Sequence, residues 1–590
     1  MKEQLEELTD RIPDKRFLLL LGILVFAGFL RFKYAFFEGM WIDEGRYGRI
    51  AASVSQHLWD YSTNSELYGQ ITGHPPVYPY LLAISVLIFG NNEFALRIVS
   101  PIVSLATIAL IYKFGAEIRD RETGLIAAAL LSVNPIFWFL SERILIGVTL
   151  TFMYTATMLA FWYGLEDRKY SKYSLYAAGP LTLLTVLTKQ PGYALGAILP
   201  LYFVYRKQDA FRDAWKKRKI RGTALYRELT DRKYYISAGL GILTITPWML
   251  RNMSTCGFPL CSFQRALSFA GRDVTNPAVQ HIQGLYFFVS SLPLMLTLPV
   301  AAFIFGRLAY AGMKSYEENA ELTAYKIATY LGGTVLLFVL MEKLVPMFLL
   351  AGLALFTRTD FEKLGWIWAG IGIGFMSIPA TKDPRYIVFT MPALILTASL
   401  GVRSFTVWLS NLIGRSEIKT FGITALIVLP MVFMGYNQGL GDVQRGGYSH
   451  LEPAGDFIDE NAPLDSNVAA TSNGQFWYYI HPRMAYMPPN NESEFQNFLL
   501  EKNISYVEVD VYEPMQPQWT QTGIAPYRLP NSVRAALQSG EISQREAYSR
   551  FSNTPEYLTP VRSYGETRSP ISSQPQPVVI VYRVERGMLE

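Results

Sequence analysis

Charge is scarce in this chain of 590 residues: 17% are Asp, Glu, Lys or Arg, against roughly a quarter in an ordinary soluble protein. With half the residues hydrophobic and 14% aromatic, it reads as a membrane protein. Cysteine is scarcer still. Cys256 and Cys261 are the only two, too few for a disulfide framework or a four-cysteine zinc site. They are close together in one loop, and are either a local bridge in an oxidising compartment or two packed thiols. There is no internal repeat, low-complexity tract, Walker-type phosphate loop or GxGxxG after a strand, so neither an ATPase nor a soluble nucleotide-sugar enzyme is supported.

What is abundant is long apolar runs. The first, Phe17 to Phe37, is of spanning length and has no obvious small-residue cleavage site, so it is expected to be retained as a span. Val77 to Phe89 is too short to cross and is expected in the interface. Further runs lie near 97–116, 123–140, 148–165, 174–188, 191–205, 234–250, 284–305, 324–341, 344–357, 364–379, 387–402 and 420–436, which makes about thirteen spans. The net charge of +5 is concentrated in a few loops. About eleven Lys and Arg residues lie between Arg206 and Lys233, which favours a cytoplasmic position for that stretch. The N-terminus is then cytoplasmic, together with the RDRE loop (119–122) and EDRKYSKY (166–173). The loop after the first span, the turns at 141–147, 188–192 and 380–386, the segment after PWMLRN and the C-terminus fall outside the cell.

From Gly439 the composition turns polar. Helix-like patches (452–461, 492–503, 532–551) alternate with strand-like runs (467–470, 506–511, 578–584). The expected architecture is mostly α: a polytopic membrane domain over 1–438, including a first outer loop at 38–96 with interfacial helices, followed by a small extracytoplasmic α/β domain over 439–590. Asn252-Met253-Ser254, Asn491-Glu492-Ser493 and Asn503-Ile504-Ser505 match the N-glycosylation acceptor pattern.

The chemistry is expected around WIDEGRYGRIA, Trp41 to Ala51. An adjacent acidic pair, Asp43 and Glu44, at the end of a span is costly unless the place is wet or functional. Tyr47, Ile50, Ala51, Val54 and Leu58 recur at helical spacing, with Arg46, Arg49, Ser53 and Gln56 on the other side, which describes a helix on the membrane surface. Asp43 is read either as the N-cap of that helix or as a catalytic carboxylate. On the same outer face lie Lys189, Arg251, Lys382, Arg385 and His74. Each cation alone fits a snorkelling interface residue, and His74 alone fits a structural loop histidine. Together they suit an anionic headgroup such as a lipid-linked phosphate.

The ordered set of WIDEGRYGRIA, GHPPVYPYL (73–81), FALRIVS (94–100), Thr188-Lys189, PWMLRN (247–252) and DPRY (383–386) resembles the motif order of the GT-C superfamily. Within it, the first 400 or so residues most resemble the protein O-mannosyltransferase and lipid A aminoarabinose transferase group. The resemblance implies an inverting glycosyltransferase that moves a sugar from a polyprenyl- or dolichyl-phosphate donor to a protein, lipid or glycan acceptor on the outer face. It makes Asp43 the general base or essential carboxylate, has Glu44 shape the site or cap the helix, and sets Lys189, Arg251 and Arg385, with Lys382 and His74 beside them, around the donor phosphate. It calls for no nucleotide and no nucleic acid. A divalent metal is not supported by an obvious ligand set.

Two positions depart from the pattern. A second acid is expected in the turn after the third span, where this chain has Gly147 or Val148, leaving Glu142 either as a substitute or as the partner of Arg143 in a structural ion pair. Gly73-His74 stands where the aminoarabinose branch has an acid and Lys, which argues against lipid A as the acceptor. Two other readings remain: an oligosaccharyltransferase using a lipid-pyrophosphate donor, disfavoured by the lack of a second acidic motif, and a transporter or flippase, disfavoured by the lack of a duplicated half.

Overall fold

In the computed structural model the expected spanning runs are mostly helical over their described residues, with breaks inside several of them. These residues are 15–36, 39–58, 75–166, 168–264, 286–379, 382–414, 416–443, 448–472, 476, 478–480, 483–489, 492–510, 539–541, 543, 555–568 and 575–589. Among them, six helices are individually long and apolar enough to cross a bilayer, eight if each of two bent pairs counts as one span. A count of thirteen needs the shorter and interrupted helices as well. The 123–140 run bends by 65° between Arg121–Ser132 and Pro135–Ser141. The 284–305 run is not one span: Phe287–Leu296 and Leu298–Glu318 meet at 113°, the chain turning at Thr297 (φ 69°) just ahead of Pro299. Val77–Phe89 is a helix of 13 residues, about 20 Å long and so short of the roughly 30 Å apolar layer.

The chain divides into two compact units. The first comprises Met1–Ala35, Ile71–Leu81 and Arg97–Gln444. Its helices approach closely where glycine replaces a side chain. A Cβ on Gly179 would lie 1.8 Å from the Ser237 carbonyl oxygen, so Ser171–Val186 and Arg232–Cys256 touch backbone to backbone, as small residues allow in membrane bundles. Leu331, Val335 and Val339 of Ala320–Leu340 are largely exposed, as expected of a surface that meets lipid.

Ion pairs tie one end of this unit together. Arg168 reaches Glu117 (2.7 Å), Arg206 reaches both Glu166 (3.0 Å) and Asp360, Arg403 reaches Asp120 (2.8 Å) and Arg307 reaches Glu362 (2.7 Å). The RDRE and EDRKYSKY loops thus share an end with Arg206, as the charge pattern predicts. The turn carrying Lys189 lies at the other end, because Leu195–Arg206 runs back from it to Arg206.

The second unit comprises Phe36–Gln70, Leu82–Leu96 and Arg445–Glu590. Its strands are β1 Asn467–Ala470, β2 Ala485–Tyr486, β3 Ile504–Asp510, β4 Leu558–Tyr564, β5 Thr567–Arg568, β6 Pro575–Gln576 and β7 Val579–Val584; β5 and β6 pair by themselves, and the main sheet has the order β2-β1-β3-β7-β4. The first three strands are parallel, and β7 and β4 add on antiparallel. Parallel neighbours need a long crossover, and helix Glu492–Glu501 lies in the one between β1 and β3. Val468, Ala469, Val507, Val509, Val579 and Val581 are buried with Leu451, Ile458 and Phe495 from the helices. The helix expected over 532–551 falls almost wholly outside the described residues. The unforeseen strand β4 contains Pro560, which an edge strand with a register shift at that point tolerates.

Candidate functional site

The acidic stretch starts a helix, Ile42–Gln56, whose N-cap is Trp41. The Glu44 carboxylate reaches back to accept the Trp41 backbone N–H at 2.6 Å and is fully buried. Expectation is corrected here: Asp43 is not the cap. Glu44 closes the first turn from N3, as in half of a capping box, and Asp43 sits inside that turn. The Asp43 carboxylate is one-third exposed and 3.7 Å from Arg46. The helix is also not a half-exposed surface helix. Tyr47, Ile50, Ala51 and Val54 are buried as expected, but Arg49, expected on the polar side, is buried too, as is Ala52. Burial lowers the Arg49 guanidinium to about 9. Leu58 lies beyond the helix and is exposed.

In the first unit, two of the expected cations come together. Tyr154, fully buried in helix Ile146–Gly164, donates its hydroxyl to the Pro191 carbonyl (2.6 Å) and packs its ring 4.6 Å from that of Phe389. One side chain thereby pins the 188–192 turn to the 3₁₀ turn Pro384–Thr390. As a result Lys189 Nζ and the Arg385 guanidinium both lie against Tyr386, 5.3 Å and 5.6 Å from its ring centre. Cations so placed are attracted to the face of the aromatic ring. Asp383 accepts the Arg385 backbone N–H at 2.9 Å and lies 3.1 Å from its Nε, fixing the fork's direction. Lys382 donates to the Pro379 carbonyl at 3.0 Å, and burial lowers its ammonium pKa. The start of Val77–Phe89 is bonded to this region through Val77 N–H and the Leu187 carbonyl (3.0 Å).

Arg251 stacks on Trp248 at 4.7 Å and is buried. The segment behind it is tied down by a Cys256–Cys261 disulfide and by Asn252, whose amide donates to the Pro259 carbonyl and to Ser262 Oγ, both at 2.9 Å. Of the two readings of the cysteines, the bridge is the one observed. Asn252 is fully buried and is thus unavailable as a glycan acceptor, despite its sequon. His74 and Asn491 lie outside the described residues.

Glu142 is buried at the end of helix Pro135–Ser141. Its charge is felt by Arg31, which is itself fully buried and donates to Ser104 Oγ (2.6 Å) and the Ser132 carbonyl (3.0 Å). Arg143 stacks on Phe139 at 4.4 Å. Arg31 escaped notice in the sequence, although an arginine inside the apolar run FLRFKY is the signal that marks such a group. A side chain at Gly147 would be crowded, since a Cβ there would be 3.0 Å from Leu140 and 3.3 Å from Val388. Among the described residues no three His, Cys, Asp or Glu side chains are placed to share a metal ion.

Comparison with known proteins bears out the resemblance. Residues 73–226 match the dolichyl-phosphate-mannose-protein mannosyltransferase family. An undecaprenyl phosphate-alpha-4-amino-4-deoxy-L-arabinose arabinosyl transferase of Pseudomonas savastanoi pv. phaseolicola is 28% identical over 153 residues, 25% of this chain and 28% of that one. The match thus spans little more than a quarter of that relative's length. The fold is similar to that of ArnT from Cupriavidus metallidurans bound to undecaprenyl phosphate (TM-score 0.58, 13% identity, 96% of this chain and 97% of that one). It is also similar to an Archaeoglobus fulgidus oligosaccharyltransferase tethered to an acceptor peptide (TM-score 0.53, 15% identity, 86% and 70%). The chain has a GT-C fold and resembles the aminoarabinose transferase and protein mannosyltransferase group.

Proposed function

We propose that this polytopic membrane protein is a glycosyltransferase that takes a sugar from a polyprenyl- or dolichyl-phosphate donor and transfers it, with inversion, to an acceptor on the extracytoplasmic face. The observation that carries the reading is the pair Lys189 and Arg385 over Tyr386, at the bundle end opposite the ion-pair network. Two cations held together suit a phosphate monoester or diester, because charge-assisted bonds to its oxygens offset the loss of hydration. The undecaprenyl phosphate bound by the similar ArnT supports the same ligand class. A disulfide behind Arg251 supports an oxidising, extracytoplasmic location for that loop, and the basic 206–233 stretch supports a cytoplasmic N-terminus.

In this reading the acceptor hydroxyl oxygen attacks the anomeric carbon, and the bond from that carbon to the phosphate oxygen breaks. The electron pair leaves with the lipid phosphate, whose charge Lys189 and Arg385 stabilise together with Arg251 and Lys382. Asp43 takes the hydroxyl proton, while Glu44 holds the turn that presents it. Glu142, whose charge acts on the buried Arg31, orders the buried helices instead of acting as a second acid. Membranes containing the protein, given a labelled polyprenyl-phosphate sugar and candidate protein, lipid and glycan acceptors, test this. Asp43→Asn is expected to lower transfer by about two to four orders of magnitude, and full activity in that variant overturns the assignment of the base. Loss of activity with a chelator and recovery with a divalent metal would instead favour the oligosaccharyltransferase chemistry of its other structural relative.

A further inference from the structure

We propose that a cavity beside the Ile42–Gln56 helix, within the second unit, is a saccharide subsite that holds a neutral or amine-bearing sugar ring of a glycan acceptor. The proposal rests on the glycosyltransferase reading and narrows its acceptor. The cavity is about 220 Å³, and Arg49, Glu93, Glu452, Asp456, Tyr478 and Tyr479 line it. Pockets for drug-sized ligands run from about 300 to 1,000 Å³, so this one is the size for a single ring and too small for a lipid headgroup with several sugars.

Its chemistry selects donors. Carboxylate oxygens accept hydrogen bonds, and three carboxyl groups line the cavity beside one guanidinium. Hydroxyl and ammonium groups satisfy such a lining, whereas a phosphate or carboxylate is repelled by it. The two tyrosines offer flat apolar faces for the C–H side of a ring, and they are already fixed. Their rings meet edge to face at 5.7 Å. A Cβ on Gly48 would be 3.0 Å from the Tyr478 ring and one on Gly455 would be 2.4 Å from Tyr479 Cβ, so each tyrosine is seated against a glycine. The site is thereby formed before a ligand arrives, which lowers the ordering cost of binding.

The cavity is also tied to the acidic turn. Met40 N–H donates to the Tyr479 hydroxyl at 3.1 Å, three residues ahead of Asp43. Arg49, six residues after Asp43, lies about 9 Å along the same helix axis. A ring held there is a neighbour of the attacked one in a linear glycan, beyond hydrogen-bond reach of Asp43 itself. A peptide fits less well. Among the described residues that line the cavity none belongs to a strand, so they offer no main-chain pairing with a sheet edge, and the one aliphatic side chain among them is Ala52.

The test uses the full chain in nanodiscs, with chitotriose, the glucosamine trimer, mannotriose and a lysine-containing tripeptide as probes in saturation-transfer NMR. At least one trisaccharide is expected to bind. Ala52→Trp, which fills the cavity, and the double variant Glu452→Gln with Asp456→Asn, which keeps its shape, should each weaken that binding by about tenfold or more. Absence of saccharide binding, equal binding in both variants, or variant-sensitive binding of the peptide alone overturns the subsite. Release of labelled sugar from a polyprenyl-phosphate donor into water is measured in parallel. Donor cleavage with saccharide binding untouched by the variants refutes the subsite and leaves the enzyme reading standing. Cavity-dependent saccharide binding without cleavage of any donor supports the subsite and refutes the enzyme reading.

Discussion

Glu508 gives the C-terminal domain a pH dependence whose sign can be worked out. It lies near the end of β3, fully buried, with Oε2 accepting the Thr471 backbone N–H at 3.1 Å. Thr471 Oγ1 donates to Asp510 at 2.7 Å and accepts the Asp510 N–H at 3.0 Å. Burial, and then the neighbouring Asp510 carboxylate, raise the Glu508 pKa well above its usual 4.5. Glu508 therefore holds its proton to a higher pH in the folded state than an exposed carboxyl does. An acid with a raised folded-state pKa contributes stability that is complete below its unfolded value and is lost as pH rises toward the folded one. Within that window each pH unit removes about 1.4 kcal/mol. Glu508→Gln keeps a donor toward Asp510 but cannot ionise. Hydrogen exchange of β3 and β7 amides in the full chain, corrected for intrinsic rates, is the assay. In the wild type, protection should fall as pH rises above about 5 at close to that slope, and in Glu508→Gln it should be flat and higher at pH 8. Protection that rises with pH, or an equal slope in the variant, would refute this account of Glu508.

Other expectations follow from packing and charge. Gly179→Ala forces a Cβ into the Ser237 carbonyl and should destabilise the bundle by about 1–3 kcal/mol, while Gly239→Ala, which meets nothing within 4 Å, should be neutral or mildly stabilising; thermal unfolding in one detergent compares them. Arg307→Ala leaves the buried Glu362 carboxylate without its cation and should cost about 3–5 kcal/mol. The double change with Glu362→Gln should recover part of this, and an unchanged melting temperature in the single variant would show the pair to be incidental. In a glycosylating host, mass spectrometry of the 252–261 segment should find Asn252 bare and the two cysteines bridged.

The helical, membrane-spanning character was legible because apolar composition over a span's length has few other solutions. Which loops share an end was legible too, since Lys and Arg concentrate in a few of them. The exact break points were not. A bend such as that at Thr297 interrupts a continuous apolar run without changing its composition. The roles within WIDEGRYGRIA were half legible: an acid near a helix start is visible, but whether it caps from N-cap or from N3 depends on the backbone entering at Trp41. Helical spacing assigned Arg49 to a polar face, and tertiary enclosure buried it. The clustering of Lys189 with Arg385 depends on Tyr154, whose hydroxyl and ring join two turns far apart in the chain, and no local pattern announces such a bridge. Strand β4 was hidden by Pro560, which only its edge position makes tolerable.

The central claim is that Lys189 and Arg385 hold the phosphate of a lipid carrier. The most direct measurement is the affinity of the purified chain for a short-chain polyprenyl phosphate, read by native mass spectrometry or equilibrium binding. Lys189→Ala with Arg385→Ala should lower it by about two orders of magnitude while Asp43→Asn leaves it nearly unchanged. Equal affinity in the wild type and the double variant would contradict the account.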